Sequence, residues 1–268
     1  MRVVTWNMHG AGVSRQSAWE LLKELEPDIA LLQEVGEIPL DVATEFACRE
    51  AHAIRRNGQP QRFKTVTLVR GRIAGELEIP APEHWIGVEL RRFAGNLVSL
   101  RLQPAAGRTL NVINVYNPAW PVERSGLQGI DTSTVRLTQQ ARDIWLSDLL
   151  CSSLKALFDR HSEPWIVAGD FNLCESFDEW PGGPRGNREY LDRMAALGFV
   201  ECLRQCAGKI VPTFKKPDGG AVACQIDHVF VNEPLVAGLR SATTGSRERV
   251  FGENLSDHLP VIADFEFV

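Results

Sequence analysis

The chain has 268 residues, 44% of them apolar and 24% charged, and it contains no run of about 18 apolar residues that would cross a membrane. We expect one domain over residues 1–268, since large two-sheet architectures often reach this size as a single unit. The net charge of −5 gives nucleic-acid binding no global support, although a local groove on an acidic body can still be positive.

The first half of the chain is rich in short apolar strands. The sequence predicts strands at residues 3–6 and 29–32, with a helix between them that ends at Pro27. Residues 36–62 are polar and are predicted to be irregular. Closely spaced strands are then predicted at residues 64–69, 85–90, 97–102 and 110–115. Strands that follow each other without intervening helices indicate an antiparallel or mixed sheet.

The second half continues with longer helices between strands. A helix is predicted from Thr134 onward, where apolar residues recur on one stripe, and a shorter one over residues 191–197 that ends at Gly198. Further strands are predicted at residues 165–168, 226–231 and 261–267. Because strands outnumber helices along the whole chain, the simplest packing is two sheets face to face with helices on their outer faces.

The six cysteines are scattered and form no CxxC pair. Cys202 and Cys206 are four residues apart, but a zinc site would need two further ligands that the sequence does not nominate. Free thiols in a reducing compartment are the simpler interpretation. Since the N-terminus reads as a strand and not as a signal peptide, we expect a cytoplasmic protein. The oligomeric state stays open.

Polar side chains follow or open six of the predicted strands. They are Asn7, Gln33-Glu34, Tyr116-Asn117, Asp170-Phe171-Asn172, Asp227-His228 and Ser256-Asp257-His258. Any one of them could be ordinary turn chemistry, because Asp and Asn often end strands. Six together indicate a shared site, since strand ends at one edge of a sandwich converge. Carboxylate and amide oxygens without a cysteine cluster suit a hard cation, Mg²⁺ or Mn²⁺.

These motifs resemble the endonuclease/exonuclease/phosphatase superfamily, which includes pancreatic deoxyribonuclease and exonuclease III-like enzymes. The matching segments run in family order from residue 5 to residue 260: Thr5-Trp6-Asn7, Leu32-Gln33-Glu34, Val115-Tyr116-Asn117-Pro118, Gly169-Asp170-Phe171-Asn172, Ile226-Asp227-His228-Val229 and Leu255-Ser256-Asp257-His258-Leu259-Pro260. The resemblance implies an α+β fold, a four-layered α/β/β/α sandwich of two mixed, mostly antiparallel sheets. It also implies a divalent-metal-dependent phosphodiesterase.

The resemblance further implies roles for the residues that hold the metal and the attacking water. Glu34 is expected to be the principal metal ligand, with Asn7 and Asp257 close by. Asp170 is expected to orient or deprotonate the water, and Asn172 to help hold that water and the phosphate.

A second group of residues is expected to contact the phosphate itself. His258 would contact a non-bridging phosphate oxygen, with Asp227 fixing its orientation and favouring the imidazolium. Tyr116 would donate to the phosphate or assist the leaving group. Together these donors would stabilise the charge that builds up on the phosphate oxygens during attack.

The substrate is less sharply defined by the sequence. Tyr116 and the segment Val135-Arg136-Leu137 favour the exonuclease III side of the superfamily. Arg136 could reach a backbone phosphate or could simply be solvated, and His9 is either near the site or an ordinary turn histidine. Five further basic residues are candidates for a phosphate-binding groove or ordinary solvated surface: Arg185, Arg188, Lys209, Lys215 and Lys216. Gln225-Ile226-Asp227-His228 lacks the Trp-x-Asp-Arg motif of inositol phosphatases, and Val222-Ala223-Cys224-Gln225 lacks the tryptophan of abasic-site endonucleases.

We therefore expect a nuclease that acts on DNA or RNA. The alternative is a phosphatase or a lipid or small-molecule phosphodiesterase with the same catalytic set, which the acidic pI and the absent tryptophan favour modestly. A non-catalytic protein that only binds a partner is a third hypothesis, and the intact set of site residues argues against it. Endonucleolytic and exonucleolytic action both remain open.

Overall fold

The computed structural model describes residues 1–133, 135, 143–158, 163–180, 186–216 and 222–266. The strands are β1 (Arg2–Ala11), β2 (Ile29–Val35), β3 (Ala47–Ile54), β4 (Pro60–Val69), β5 (Gly71–Glu76), β6 (Leu97–Pro104), β7 (Leu110–Tyr116), β8 (Trp165–Asp170), β9 (Phe199–Glu201), β10 (Asp227–Asn232), β11 (Leu239–Thr244) and β12 (Val261–Phe265). The helices are α1 (Gln16–Glu24), α2 (Leu40–Glu45), α3 (His84–Arg92), α4 (Leu146–Phe158), α5 (Asn187–Ala196), α6 (Cys202–Ala207), α7 (Glu233–Val236) and α8 (Arg247–Gly252).

The strands form two six-stranded mixed sheets. One has the order β11-β12-β1-β2-β4-β3 and the other the order β5-β6-β7-β8-β10-β9. The β1–β2 and β7–β8 pairs are parallel, and the remaining strand pairs are antiparallel. The predicted α+β class with two mixed, mostly antiparallel sheets is confirmed.

Three apolar layers hold this architecture together. The layer between the sheets joins residues of both, Val3 and Leu31 from one and Val112 and Ile166 from the other among them. A second layer packs α1 and α8 on the outer face of the first sheet, and a third packs α3, α4 and α5 on the outer face of the second. The order helix, sheet, sheet, helix is therefore the predicted four-layered sandwich.

A buried polar network also links the two sheets. Gln33 on β2 donates through Nε2 to Asn114 Oδ1 on β7 at 2.7 Å and to Thr5 Oγ1 at 3.2 Å. Asn114 Nδ2 in turn donates to the carbonyl oxygen of Val66 at 2.9 Å. Buried polar groups are costly unless they are hydrogen-bonded, so this network favours one alignment of the sheets over others. It lies directly beneath Glu34, the next residue of β2.

Two predicted elements are wrong. Residues 85–90 form helix α3 and not a strand, because Trp85, Ile86 and Leu90 are buried on one side of a helix, and a short apolar run does not distinguish the two states. Residues 36–62 are not irregular, since they contain α2, β3 and the start of β4. The strand β3 lies at the edge of its sheet and most of its side chains are partly exposed, which explains its polar composition.

The helix predicted from Thr134 is observed only in its second half, and the prediction is wrong at residues 143–145, which are not helical. Helix α4 begins at Leu146, and residues 134 and 136–142, including the candidate phosphate contact Arg136, lie outside the described residues. In the part of the chain that the structure describes, no helix is both long and apolar enough to cross a membrane.

The close packing of β8 on β7 gives a prediction at Gly169. Its φ is +149°, and a Cβ atom added there would lie 1.9 Å from the carbonyl oxygen of Val115. We expect Gly169→Ala to lower the free energy of unfolding by at least about 3 kcal/mol, because the backbone itself would have to move. Urea denaturation measures this change. The control is Gly252→Ala, where no atom lies within 4 Å, and equal stability of the two variants would contradict the prediction.

Candidate active site

The candidate site lies at one edge of the paired sheets, where strand direction brings distant residues together. Because β1 and β2 are parallel, Asn7 and Glu34 leave the sheet at the same edge. The parallel β7–β8 pair places Tyr116 opposite Asp170. Strand β10 runs antiparallel to β8, and its first residue, Asp227, also lies opposite Asp170. The carboxyl ends of four strands and the amino end of a fifth therefore meet at one point.

Asn7 holds two carboxylates in place. Its Nδ2 lies 3.2 Å from Glu34 Oε1 and 3.0 Å from Asp170 Oδ2. The Tyr116 hydroxyl donates to the same Glu34 oxygen at 3.1 Å. The Asn7 Oδ1 atom accepts from the backbone N–H of His9 at 3.0 Å. Asn7 thus acts on Glu34 and Asp170 through its amide nitrogen, which is a positioning contact.

The loop after β8 is fixed by Asn172 and by Asn117. The backbone N–H of Asn172 donates to Asp170 Oδ1 at 2.8 Å, and its side chain donates to the carbonyl oxygen of Asn117 at 2.7 Å. Asn117 donates its own N–H to the carbonyl oxygen of Asp170 and its amide to that of Phe171. Asn117 had no role predicted from the sequence, although its place directly after Tyr116 was the available signal.

Three predicted site residues have a left-handed backbone conformation: φ is +47° at His9, +51° at Glu34 and +47° at Asn172. Non-glycine residues rarely adopt this conformation, and it costs free energy that the surrounding structure must supply. Such residues concentrate at functional sites, so their occurrence together supports a shared role.

His258 and Asp227 form a buried pair behind the cleft. His258 Nδ1 lies 2.9 Å from Asp227 Oδ2, and both side chains are almost inaccessible to solvent. The Thr213 hydroxyl accepts the backbone N–H of Asp227 at 3.2 Å, and the Ser256 hydroxyl accepts that of His258 at 3.0 Å. The Trp6 indole donates to the carbonyl oxygen of His258 at 2.8 Å. The backbone of both residues is therefore fixed by hydrogen bonds, and the imidazole is held through Nδ1 by the Asp227 carboxylate.

Burial and neighbouring charges set the protonation of these groups. Burial raises the pKa of Asp170, and Asp227 adds to this effect while His258 opposes it. Burial disfavours the charged form of His258, but the carboxylates of Asp227 and Asp170 raise its pKa above the usual value. Burial, with the nearby Glu34 carboxylate, also raises the pKa of Tyr116, which is therefore a neutral donor at neutral pH.

The cleft is suited to a divalent cation. It has a volume of about 300 Å³ and is lined by the carboxylates of Glu34, Asp170 and Asp257. Asp257 Oδ1 is a buried oxygen that has the ring nitrogens of two histidines near it, His9 Nδ1 at 3.0 Å and His258 Nε2 at 3.9 Å. Asp170, Asp227 and His258 also have ligand atoms within 4.8 Å of one another, but Asp227 is fully buried behind His258. Glu34 and Asp257 are therefore the better ligands, and their oxygen chemistry fits Mg²⁺ or Mn²⁺.

The structure places nine of the ten predicted site residues in or directly behind the cleft. Those lining it are His9, Glu34, Tyr116, Asp170, Asn172, Asp257 and His258. Asn7 and Asp227 lie behind it and bond to lining residues, and Arg136 is outside the described residues. His9 Nδ1 lies 3.0 Å from Asp257 Oδ1.

Two unpredicted aromatic residues, Trp120 and Phe214, also line the cleft. The ring centroid of Phe214 lies 4.9 Å from that of His258, and its backbone bridges to both Cys224 and His258. No local sequence pattern marks Phe214, because its position depends on pairing with two segments that are distant along the chain.

The two-sheet fold and a cleft lined by carboxylates, amides and one buried imidazole are together typical of metal-assisted phosphoric ester hydrolases. The sequence profile of the Endonuclease/Exonuclease/phosphatase family matches residues 4–258. The chain belongs to this family, whose members are hydrolases acting on phosphoric esters. No curated protein sequence matches the chain.

Several solved structures share the fold. A Neisseria 3′ phosphatase, NExo, bound to a product DNA hairpin has 19% identity and a TM-score of 0.70, with both chains covered in full. An AP endonuclease from Archaeoglobus fulgidus has 16% identity and a TM-score of 0.67, again with full coverage of both chains. The catalytic domain of Xenopus laevis APE2 has 18% identity and a TM-score of 0.67, covering 99% of this chain and 91% of its own.

Metal binding should be detectable without turnover. At a concentration of about 100 times the dissociation constant, Mn²⁺ should stabilise the protein by about 2.7 kcal/mol and raise its Tm by several degrees. Glu34→Gln should remove most of this shift, because Gln keeps an oxygen acceptor for Asn7 but lacks the charge. Differential scanning fluorimetry measures both. The exposed Glu253→Gln variant is the control, and equal shifts for Glu34→Gln and the control would contradict the prediction.

Proposed function

We propose that the protein is a Mg²⁺- or Mn²⁺-dependent phosphodiesterase that hydrolyses nucleic-acid strands. The observation that carries this proposal is the single cleft in which Asp170, His258 and Glu34 meet, although they are far apart in sequence. Such a cleft offers a carboxylate for the attacking water, an imidazolium for the phosphate and an oxygen ligand for a cation. These are the three elements that metal-assisted phosphodiester hydrolysis needs.

Each residue of the cleft has one role in the proposed reaction. Asp170 accepts the proton of the attacking water, and Asn172, bonded to it, helps to orient that water and the phosphate. His258 keeps Nδ1 on Asp227 and so directs Nε2 to a non-bridging phosphate oxygen. Tyr116 is neutral and donates its hydroxyl to the leaving oxygen or to the phosphate.

Glu34 and Asp257 are the residues that would hold the cation, and Asn7 positions Glu34. When bound, the cation polarises the phosphate and neutralises part of the charge that develops in the transition state. The cleft has more carboxylates than cationic side chains, and a bound cation would balance this negative charge, which supports the assignment.

Nucleic acid is the substrate that the comparisons favour. The solved relatives include AP endonucleases and a protein crystallised with a DNA hairpin, and they share the complete fold. A phosphatase acting on a terminal phosphate is the second candidate, because one of the same relatives carries that name. We further propose one catalytic domain over residues 1–268 and a cytoplasmic setting, which the six free cysteines support.

The experiment is a substrate panel with Mg²⁺, with Mn²⁺ and with EDTA. It compares circular plasmid, end-labelled single- and double-stranded DNA, abasic DNA, RNA, a 3′-phosphorylated oligonucleotide and bis(p-nitrophenyl) phosphate. Circular and linear substrates separate internal from terminal cleavage. We expect metal-dependent strand cleavage that EDTA abolishes. Release of inorganic phosphate alone would favour the phosphatase, and turnover that persists in EDTA would contradict both candidates.

A further inference from the structure

A second groove adjoins the catalytic cleft. It has a volume of about 320 Å³ and lies between the segment after Thr213, the turn after β1 and helix α8. His9 and Asp257 line both the groove and the cleft, so the two cavities are neighbours. The backbone N–H of Lys215 donates to the carbonyl oxygen of Asp257 at 2.8 Å, which fixes the groove relative to the site.

The charge of this groove is opposite to that of the molecule. Arg15, Lys215 and Lys216 line it, on a protein whose net charge is −5. Among the described residues none of these three makes an ion pair with a carboxylate, whereas many other surface cations do. Of the described residues that line it, Asp257 is the one acidic side chain, and we assign that carboxylate to the metal. The Arg15 guanidinium donates through Nη1 to the carbonyl oxygen of His9 at 3.0 Å and to that of Leu255 at 3.5 Å, so its charge is held in place without being neutralised. The three cationic groups therefore leave positive charge for an anionic ligand.

Aromatic rings lie beside two of these cations. Lys215 Nζ lies 5.8 Å from the centre of the Phe251 ring, and Lys216 Nζ lies 3.7 Å from the centre of the Trp180 ring. Basic groups interleaved with aromatic faces are the common surface for a nucleic-acid strand, because bases stack on the rings while the cations meet phosphates. A small phosphate ester has neither a neighbouring base to stack on these rings nor a second phosphate to meet the cations. The pattern favours a strand over a compact phosphorylated molecule.

We propose that this groove binds the phosphate group next to the scissile one, so that the preferred substrate is a polynucleotide with at least two phosphates. The inference rests on the proposed function. A strand whose scissile phosphate contacts His258 would continue past His9 and Asp257 into the groove, where Lys215, Lys216 and Arg15 neutralise the next phosphate. Binding of longer strands then gains a salt-dependent contribution that a single phosphodiester cannot obtain.

The test compares two substrates of the same chemistry, the dinucleotide TpT with one phosphodiester and a 12-residue oligothymidylate. The variant is the double substitution Lys215→Gln and Lys216→Gln, and the control is Lys209→Gln, an exposed lysine that does not line the groove. For the double variant we expect KM on the 12-mer to rise at least about tenfold, and the slope of log KM against log salt to fall by about one to two. The change with TpT should be several-fold smaller, and kcat on the 12-mer should stay within about twofold.

The outcomes separate the inference from the function on which it rests. Two results would overturn the groove as a phosphate site. One is a double variant whose KM on the 12-mer equals that of the control, and the other is a double variant that loses activity on TpT and on the 12-mer to the same extent. Either result would leave the proposed phosphodiesterase activity standing. A wild-type enzyme that is inactive on both substrates with Mg²⁺ and Mn²⁺ would overturn the proposed function and the inference together.

Discussion

Asp170→Asn is expected to lower kcat for phosphodiester hydrolysis by at least about 100-fold, with the fold intact. Asn is nearly isosteric and keeps an oxygen for the N–H of Asn172, but its amide cannot accept a proton from water. The loss should therefore appear in kcat and much less in KM. Removing the buried charge favours the folded state, because burial already disfavours the charged form of Asp170. The new amide nitrogen cannot accept the hydrogen bond from Asn7 Nδ2, which offsets this gain, so the Tm should stay close to that of the wild type.

Steady-state kinetics on a labelled oligonucleotide and a thermal denaturation curve measure these effects. The matched control is Asp192→Asn, the same substitution on the exposed surface of α5, which should retain wild-type kcat. If Asp170→Asn kept more than about a tenth of the wild-type kcat, another group would have to activate the water.

His258→Gln should lower kcat/KM by about 100- to 1000-fold. The raised pKa of the imidazole, caused by the adjacent carboxylates despite its burial, keeps it cationic at neutral pH, and Gln supplies neither the charge nor the same donor geometry. The variant should still bind Mn²⁺ with a Tm shift near that of the wild type, because Glu34 is unchanged. Kinetics and fluorimetry on the same preparation test both statements, with the exposed His52→Gln as control.

Asp227 acts through His258, and a double-mutant cycle isolates this dependence. Asp227→Asn should lower kcat/KM because it removes the carboxylate 2.9 Å from His258 Nδ1. In a protein that already carries His258→Gln, the same change should add less than about threefold. Fully additive losses would show that Asp227 has a separate role and would contradict the paired arrangement.

Much of the site was predictable because its residues are strand-terminal and locally distinctive. Gly169, Asp170 and Asn172 stand together in the chain, and the structure explains each: Gly169 passes against Val115, Asp170 faces the cleft, and Asn172 bonds back to Asp170. The strand directions that bring Glu34 to the same edge follow from parallel pairing with β1. Local pattern and global fold agree here, which is why the meeting of these residues at one edge could be predicted from the residues, whereas their individual roles followed from the resemblance to a family.

Other parts depended on contacts that no local pattern contains. Helix α3 was predicted to be a strand because a short buried run has no clear period, and β3 was missed because an edge strand with partly exposed side chains is polar. Phe214 reaches the cleft only because its backbone bridges to Cys224 and His258. Lys215 and Lys216 were two of several basic candidates in the sequence, and only the tertiary arrangement distinguishes them by placing them beside Arg15.

The measurement that tests the central claim most directly is a crystal structure of the protein soaked with Mn²⁺, with anomalous scattering data collected to locate the ion. The account predicts one strong anomalous peak in the cleft, in contact with the carboxylates of Glu34 and Asp257 and on the same side as Asp170 and His258. It also predicts that this peak is absent from Glu34→Gln crystals treated in the same way. A fully active enzyme whose crystals bind Mn²⁺ elsewhere, with no peak in the cleft, would contradict it.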